Sequence, residues 1–218
     1  MSFNKNIVQQ GRSMIEMLGV LAIIGVLSVG GLVGYSKAME RYRVNETINQ
    51  ITYIVENVHS LFKSQRDYSD ILEEANIVDF SSSSAKIRVI GDKAQLFPAS
   101  VVTNGYKNVF GGSIRWYSGC GRFSRRDKKS FSILYYGVPQ AACIELVTKD
   151  WRAVSGFLGM EVEGSKNMYD VGTTFQGCYE AAVQEGTGLF CAKAFPIKVE
   201  DAVKVCDTER NSVQWHFY

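Results

Sequence analysis

Three patterns of polarity follow one another along the chain. From Met17 to Tyr35 no charged side chain occurs. About 19 residues wound at 1.5 Å each reach roughly 28 Å, close to the hydrocarbon thickness of a bilayer. From Val44 to Phe62 apolar side chains recur at steps of three and four, at Val44, Ile48, Ile51, Val55, Val58 and Phe62, which sets one stripe of a continuing helix against a core. The pattern predicts one helix from Arg12 to Phe62, roughly 76 Å long. Its first half is apolar on all sides and its second half is amphipathic.

Beyond Ser64 the helical period fades. The run Ser81-Ser82-Ser83-Ser84 reads as an exposed loop. Short strands are expected at Lys86 to Ile90 and at Ala94 to Phe97. Stronger ones follow at Ser113 to Tyr117 and Ser130 to Tyr136, where β-branched and aromatic residues dominate, with Gly119-Cys120-Gly121-Arg122 as a turn between them. Pro139, tolerated in a first helical turn, opens a helix expected to run to Trp151. Phe157 to Val162 reads as a strand, Val199 to Cys206 as a short amphipathic helix after Pro196, and Val213 to Phe217 as a final strand. The expected class is α+β, a long N-terminal helical spine packed on a small antiparallel sheet.

One carboxylate stands at the entrance to the apolar run. A charge facing lipid is unfavourable by about 2.5–3.5 kcal/mol on insertion scales, so Glu16 needs a cationic partner. A pair with Arg12, four residues earlier, would contribute only about 0.2–0.5 kcal/mol; it is a companion and not an explanation. Within the run, Gly19, Gly25, Gly30, Gly31 and Gly34 each cost about 1 kcal/mol of helix propensity relative to Ala. Gly30 and Gly34 form a small-xxx-small pair that lets helices approach closely; the plainer reading is that membrane helices tolerate glycine.

Composition leaves room for one membrane helix and one globular domain, with 218 residues, 46% hydrophobic content and a formal charge of +2. So small a charge gives no global argument for nucleic acid. Lys5 and Arg12 precede the apolar run while Lys37, Arg41 and Arg43 follow it, so counting cations does not orient it. All five cysteines, Cys120, Cys143, Cys178, Cys191 and Cys206, lie in the last half, as suits disulfides in an oxidising space; buried free thiols are the alternative. No C-x-x-C pair occurs and His59 and His216 are far from any paired cysteines, which argues against a metal.

Chemistry of other kinds has no foothold. The sequence has no Walker-type loop, zinc-type His/Glu helix or Gly-x-Ser-x-Gly elbow, so neither an enzyme nor a cofactor is expected. His216 reads as a sheet residue, and Trp215-His216-Phe217-Tyr218 as core strand. The basic cluster Arg122, Arg125, Arg126, Lys128 and Lys129, with Phe123 beside it, reads first as a solvated loop. Contact with acidic neighbouring subunits ranks second and DNA phosphates third.

Gly11, the non-acidic residue after it, Glu16 in the fifth place after the glycine, and the apolar helix beyond resemble the N-terminus of type IV prepilins and pseudopilins. The resemblance implies that residues 1–11 are a cytoplasmic leader, that a prepilin peptidase cuts between Gly11 and Arg12, and that the new amine of Arg12 is methylated. It implies that Glu16 pairs, in a filament, with the N-terminal amine of a neighbouring subunit. Residues 12–36 would then be the transmembrane or filament-core half of the helix, 37–62 the amphipathic half, and 63–218 a disulfide-stapled head. In the family the middle of the anchor packs tightly or unwinds; Gly25, Gly30 and Gly34 are the candidates for this, Gly25 for unwinding.

The head resembles the type IVb branch through Phe110-Gly111-Gly112-Ser113-Ile114, through Ser132 to Cys143 and through Ala202-Val203-Lys204-Val205-Cys206. That resemblance implies a Cys143–Cys206 disulfide. Cys178–Cys191 is assigned from proximity alone, four cysteines allowing three connectivities, and Cys120 is left as a free thiol or as a partner that displaces one of these pairs. The implied protein is a structural subunit of a type IV pilus-like filament. It would be a single-pass inner-membrane precursor with its head outside the cytoplasm, and afterwards part of an extracellular filament. Its partners would be further copies of itself in an open head-to-tail assembly, the peptidase, the inner-membrane assembly machinery and minor pilins. The alternatives are a type II secretion pseudopilin, or an anchored exported binding domain that never polymerises.

Overall fold

The structure, a computed structural model, describes residues 14–65, 67–68, 77–79, 86–118, 130–163 and 188–218. Helix α1 runs unbroken from Met14 to Phe62. It ends where the apolar stripe ends, and the expected start at Arg12 lies outside the described residues. Two compact units meet between Arg41 and Tyr42, so α1 contributes to both.

In the second unit six strands form one sheet. These are β1 (Ile77–Asp79), β2 (Ile114–Ser118), β3 (Phe131–Pro139), β4 (Phe157–Glu163), β5 (Leu189–Cys191) and β6 (Arg210–Phe217), in the order β1-β2-β3-β6-β4-β5. Every neighbouring pair is antiparallel. The last strand therefore sits in the middle, with Trp215 opposite Ile133 on one side and Met160 on the other. Alternation then sends Ile133, Tyr135, Val213, Trp215 and Phe217 into the core shared with Val44, Ile51, Ile54, Val55, Val58 and Phe62 of α1. Ile48, expected in that stripe, is only partly buried, while Thr47 and Gln50 are buried beside it.

The intervening positions form a second, more polar set, in which Ser132, Glu161, Gln214 and His216 are all buried. Gln214 Nε2 donates to Ser132 Oγ at 2.7 Å. His216 Nε2 lies 3.7 Å from Glu161 Oε2. His216 is thus the sheet residue the sequence suggests, with a carboxylate that the sequence pattern did not single out.

Helices fill the connections, and two expectations change. Residues expected as strands at Lys86 to Ile90 and Ala94 to Phe97 are instead helix α2 (Lys86–Ala94) and its exit. Ile87 and Val89 fit a two-residue period over five positions, but Ile87 is buried and Val89 is 41% exposed. The helical spacing of Ile87, Ile90 and Gly91 wins because the Phe97 ring lies where a Gly91 side chain would begin. A short helix α3 (Ala99–Thr103) follows. Helix α4 (Gln140–Thr148) stops three residues short of the expected Trp151, and Pro139 is its cap and the last residue of β3.

The reason for the early stop is local. Lys149 is extended, and Asp150 starts a new turn, Trp151–Ala153, by accepting from the Arg152 main-chain N–H. The Arg152 side chain, hydrogen-bonded to the same carboxylate, holds the Asp150 carboxyl down at about 2. Trp151 is then buried, donating from Nε1 to the Leu146 carbonyl at 2.7 Å. Helix α5 (Val199–Val205) lies within the expected span. The strands at Ser113 to Tyr117, Ser130 to Tyr136, Phe157 to Val162 and Val213 to Phe217 are all present, with shifted or longer ends. The serine run 81–84 and the turn 119–122 lie outside the described residues.

Candidate assembly site on the N-terminal helix

All side chains from Met14 to Ala38 are exposed. The helix is long and apolar enough to cross a membrane, and none of its most apolar stretch is buried within the protein. So large an apolar surface marks a lipid or protein contact. Its interior polar groups are already satisfied: Ser28 Oγ donates to the Ile24 carbonyl at 2.7 Å and Ser36 Oγ to the Leu32 carbonyl at 2.9 Å. Back-bonding of this kind removes the need for water along the run.

Glu16 sits in the first described turn, exposed, with no ion pair among the described residues. Gly11, Arg12 and the expected Arg12–Glu16 pair lie outside those residues. Around Gly19, Gly25, Gly30, Gly31 and Gly34 no heavy atom comes within 4 Å of where a Cβ would stand. Nothing among the described residues therefore requires them to be small. The helix continues through Gly25, Gly30 and Gly34 without a break.

In the second unit, side chains fix the other half of α1 to the sheet. Tyr135 Oη donates to Gln50 Oε1 at 3.1 Å, and Gln50 Nε2 reaches Glu46 Oε1 and Ser100 Oγ, each at 3.2 Å. Ser100 Oγ donates to the same Glu46 oxygen at 3.1 Å. Burial, and secondarily the Glu46 charge, raise the Tyr135 hydroxyl well above its ordinary range. Farther along, His59 Nε2 is 2.6 Å from the Tyr218 main-chain oxygen, to which Tyr68 Oη also donates. Sequence reasoning passed over these contacts, since Gln50 and His59 belong to no motif and the partners lie far away in the chain; Tyr218, expected within the core strand, instead follows the end of β6 and is 55% exposed.

Cys143 on α4 and Cys206 at the end of α5 form a disulfide with their Cα atoms 5.9 Å apart. Both are fully buried, and Gln140 Nε2 donates to the Cys206 carbonyl at 2.9 Å. Cys191 is disulfide-bonded too. Cys120, Cys178 and the basic cluster from Arg122 to Lys129 lie outside the described residues. Among the described residues no group of three or more His, Cys, Asp or Glu side chains could hold a metal ion.

Residues 41–188 match the protein-family model described as PilS N terminal. Among solved structures the chain resembles TcpA, a type IV pilin from Vibrio cholerae El Tor biotype. The identity is 15%, the TM-score is 0.54, and the match covers 81% of this chain and 99% of that one. No curated protein matches the chain. At that identity the structural likeness speaks for the fold: a long N-terminal helix on a small antiparallel sheet.

Proposed function

We propose that the chain, which belongs to the PilS N-terminal family and has the fold of a type IV pilin, is a structural, non-catalytic subunit of a type IV pilus-like filament. Its closest kinship would be with the type IVb branch. The precursor is held in the inner membrane by residues 12–36, cut after Gly11 by a prepilin peptidase and methylated on Arg12. Subunits then assemble through the same helix, whose residues 37–62 carry the head, 63–218, to the filament surface. The partners are further copies of the chain, the peptidase, the inner-membrane assembly machinery and minor pilins.

The observation that carries this reading is the wholly exposed apolar half of α1, which ends in a folded, disulfide-linked head. Five glycines with open space around them add to it, because their propensity cost has no return among the described residues. A second helix approaching there would supply one. Gly25, Gly30 and Gly34 are the positions at which we place close packing or unwinding in the filament.

Replacing Glu16 with Ala tests the assembly step. The E16A protein is expected to reach the membrane in wild-type amount and to leave no filaments visible by electron microscopy. Filaments at wild-type abundance would contradict the role of Glu16 and favour an anchored domain that does not polymerise.

A further inference from the structure

Charges along the first unit are spaced by one membrane thickness. On the unbroken helix α1, Glu16 to Lys37 is a rise of about 31 Å at 1.5 Å per residue. The hydrocarbon core of a bilayer is about 30 Å thick. No charged side chain lies between them, and Ser28 and Ser36 bond back to their own helix. Glu16 and Lys37 are the first charges met on leaving the run in either direction.

The Lys37 end has a composition of its own. Arg41 lies one turn beyond Lys37 on the same face, and Tyr35, 65% exposed, precedes them. Neither cation makes an ion pair with any described residue, although Glu40 lies within reach of helical spacing. Two unpaired cations four apart repel one another unless an anion lies between them. Tyrosine, lysine and arginine at the end of an apolar helix suit the headgroup layer, where a ring straddles the boundary and a cation meets phosphate.

We infer that Glu16 and the Lys37–Arg41 pair occupy the two opposite headgroup planes of the membrane, Glu16 hydrated at one and the two cations bound to phospholipid phosphates at the other. This rests on the membrane-anchored reading above and deepens it. Glu16 then avoids hydrocarbon as long as the subunit stays in the bilayer. It meets apolar surroundings only when the helix is drawn out, so the need for a cationic partner arises at that step and favours departure into an assembly rather than alone.

The test uses the full chain in nanodiscs of dioleoyl phosphatidylethanolamine and dioleoyl phosphatidylglycerol, open to water on both faces. Carboxyl groups are labelled with a water-soluble carbodiimide and an aqueous amine, or with a hydrophobic carbodiimide, and located by peptide mass spectrometry. Glu16 is expected to take the aqueous label within about tenfold of the rate of exposed Glu200, as a carboxylate outside the hydrocarbon should. Solid-state NMR is expected to detect a phosphorus–nitrogen contact between lipid phosphate and Lys37 Nζ. Labelling of Glu16 by the hydrophobic reagent alone, or absence of the phosphate contact, overturns the inference. A chain that does not incorporate into the discs overturns the membrane-anchored reading and this inference with it.

Discussion

His59 Nε2 stands 2.6 Å from the main-chain oxygen of Tyr218, joining the last turns of α1 to the end of β6 across 159 positions of sequence. Gly156 makes this contact sterically feasible. Its φ of +75° is left-handed, and a Cβ there would come within 2.8 Å of His59 Cε1. Its carbonyl also accepts from the Tyr218 N–H at 2.9 Å.

Gly156→Ala is therefore expected to destabilise the head by about 1–2 kcal/mol through the backbone alone, and by more because the imidazole is displaced. His59→Ala should lose about 0.5–1.5 kcal/mol with its hydrogen bond. In the His59→Ala background, Gly156→Ala should cost only the backbone part. Denaturant unfolding of the two single variants and the double variant measures this; strict additivity would contradict the coupling.

The Tyr135 hydroxyl is the donor for a buried Gln50 oxygen. Tyr135→Phe leaves that acceptor unsatisfied and should destabilise the head by about 1–3 kcal/mol at neutral pH. Because burial raises the folded hydroxyl above its unfolded value, the stability it contributes is fully present below about pH 10 and is lost as pH climbs beyond that. Tyr135→Phe should thus flatten the alkaline limb of the stability curve. An unchanged limb would remove Tyr135 from the account of alkaline unfolding.

Much of this architecture was legible in the chain because it rests on long, repeated signals. The stripe from Val44 to Phe62 gave the end of α1 at the right residue. Pro139 marked the junction between β3 and α4, and the alternation before it marked the strand. Where the pattern was short, it misled. Five residues from Lys86 fit two periods, and the choice between them was made by the Gly91–Phe97 contact, which no local window contains. β5, with three residues, was too short to read.

For the candidate site, Glu16 and the glycines could be picked out because a charge and five poor helix formers stand out in an apolar run. The ties that hold α1 to the sheet could not be found in this way. Gln50 and His59 are ordinary helix residues until strands far along the chain bring Tyr135 and Tyr218 to them.

The Cys143–Cys206 bridge closes a loop with a separation of 63 residues. In the chain-entropy model a loop of this length is stabilising by about 4 kcal/mol. Replacing both cysteines with Ser should lower the denaturation midpoint by a matching amount, while near-wild-type stability would place the bridge's contribution elsewhere. Peptide mapping without reduction should also recover Cys178 joined to Cys191 and Cys120 open to alkylation; a peptide joining Cys120 to Cys191 would overturn that assignment.

A chain made as a prepilin loses its leader before assembly, and intact-protein mass spectrometry on material taken from the native cell envelope reads that processing. The mass expected is that of residues 12–218 with one methyl group on Arg12, its disulfides read from the change on reduction. A full-length, unmethylated chain in cells whose prepilin peptidase is active would contradict the account and leave a membrane-anchored domain that does not polymerise.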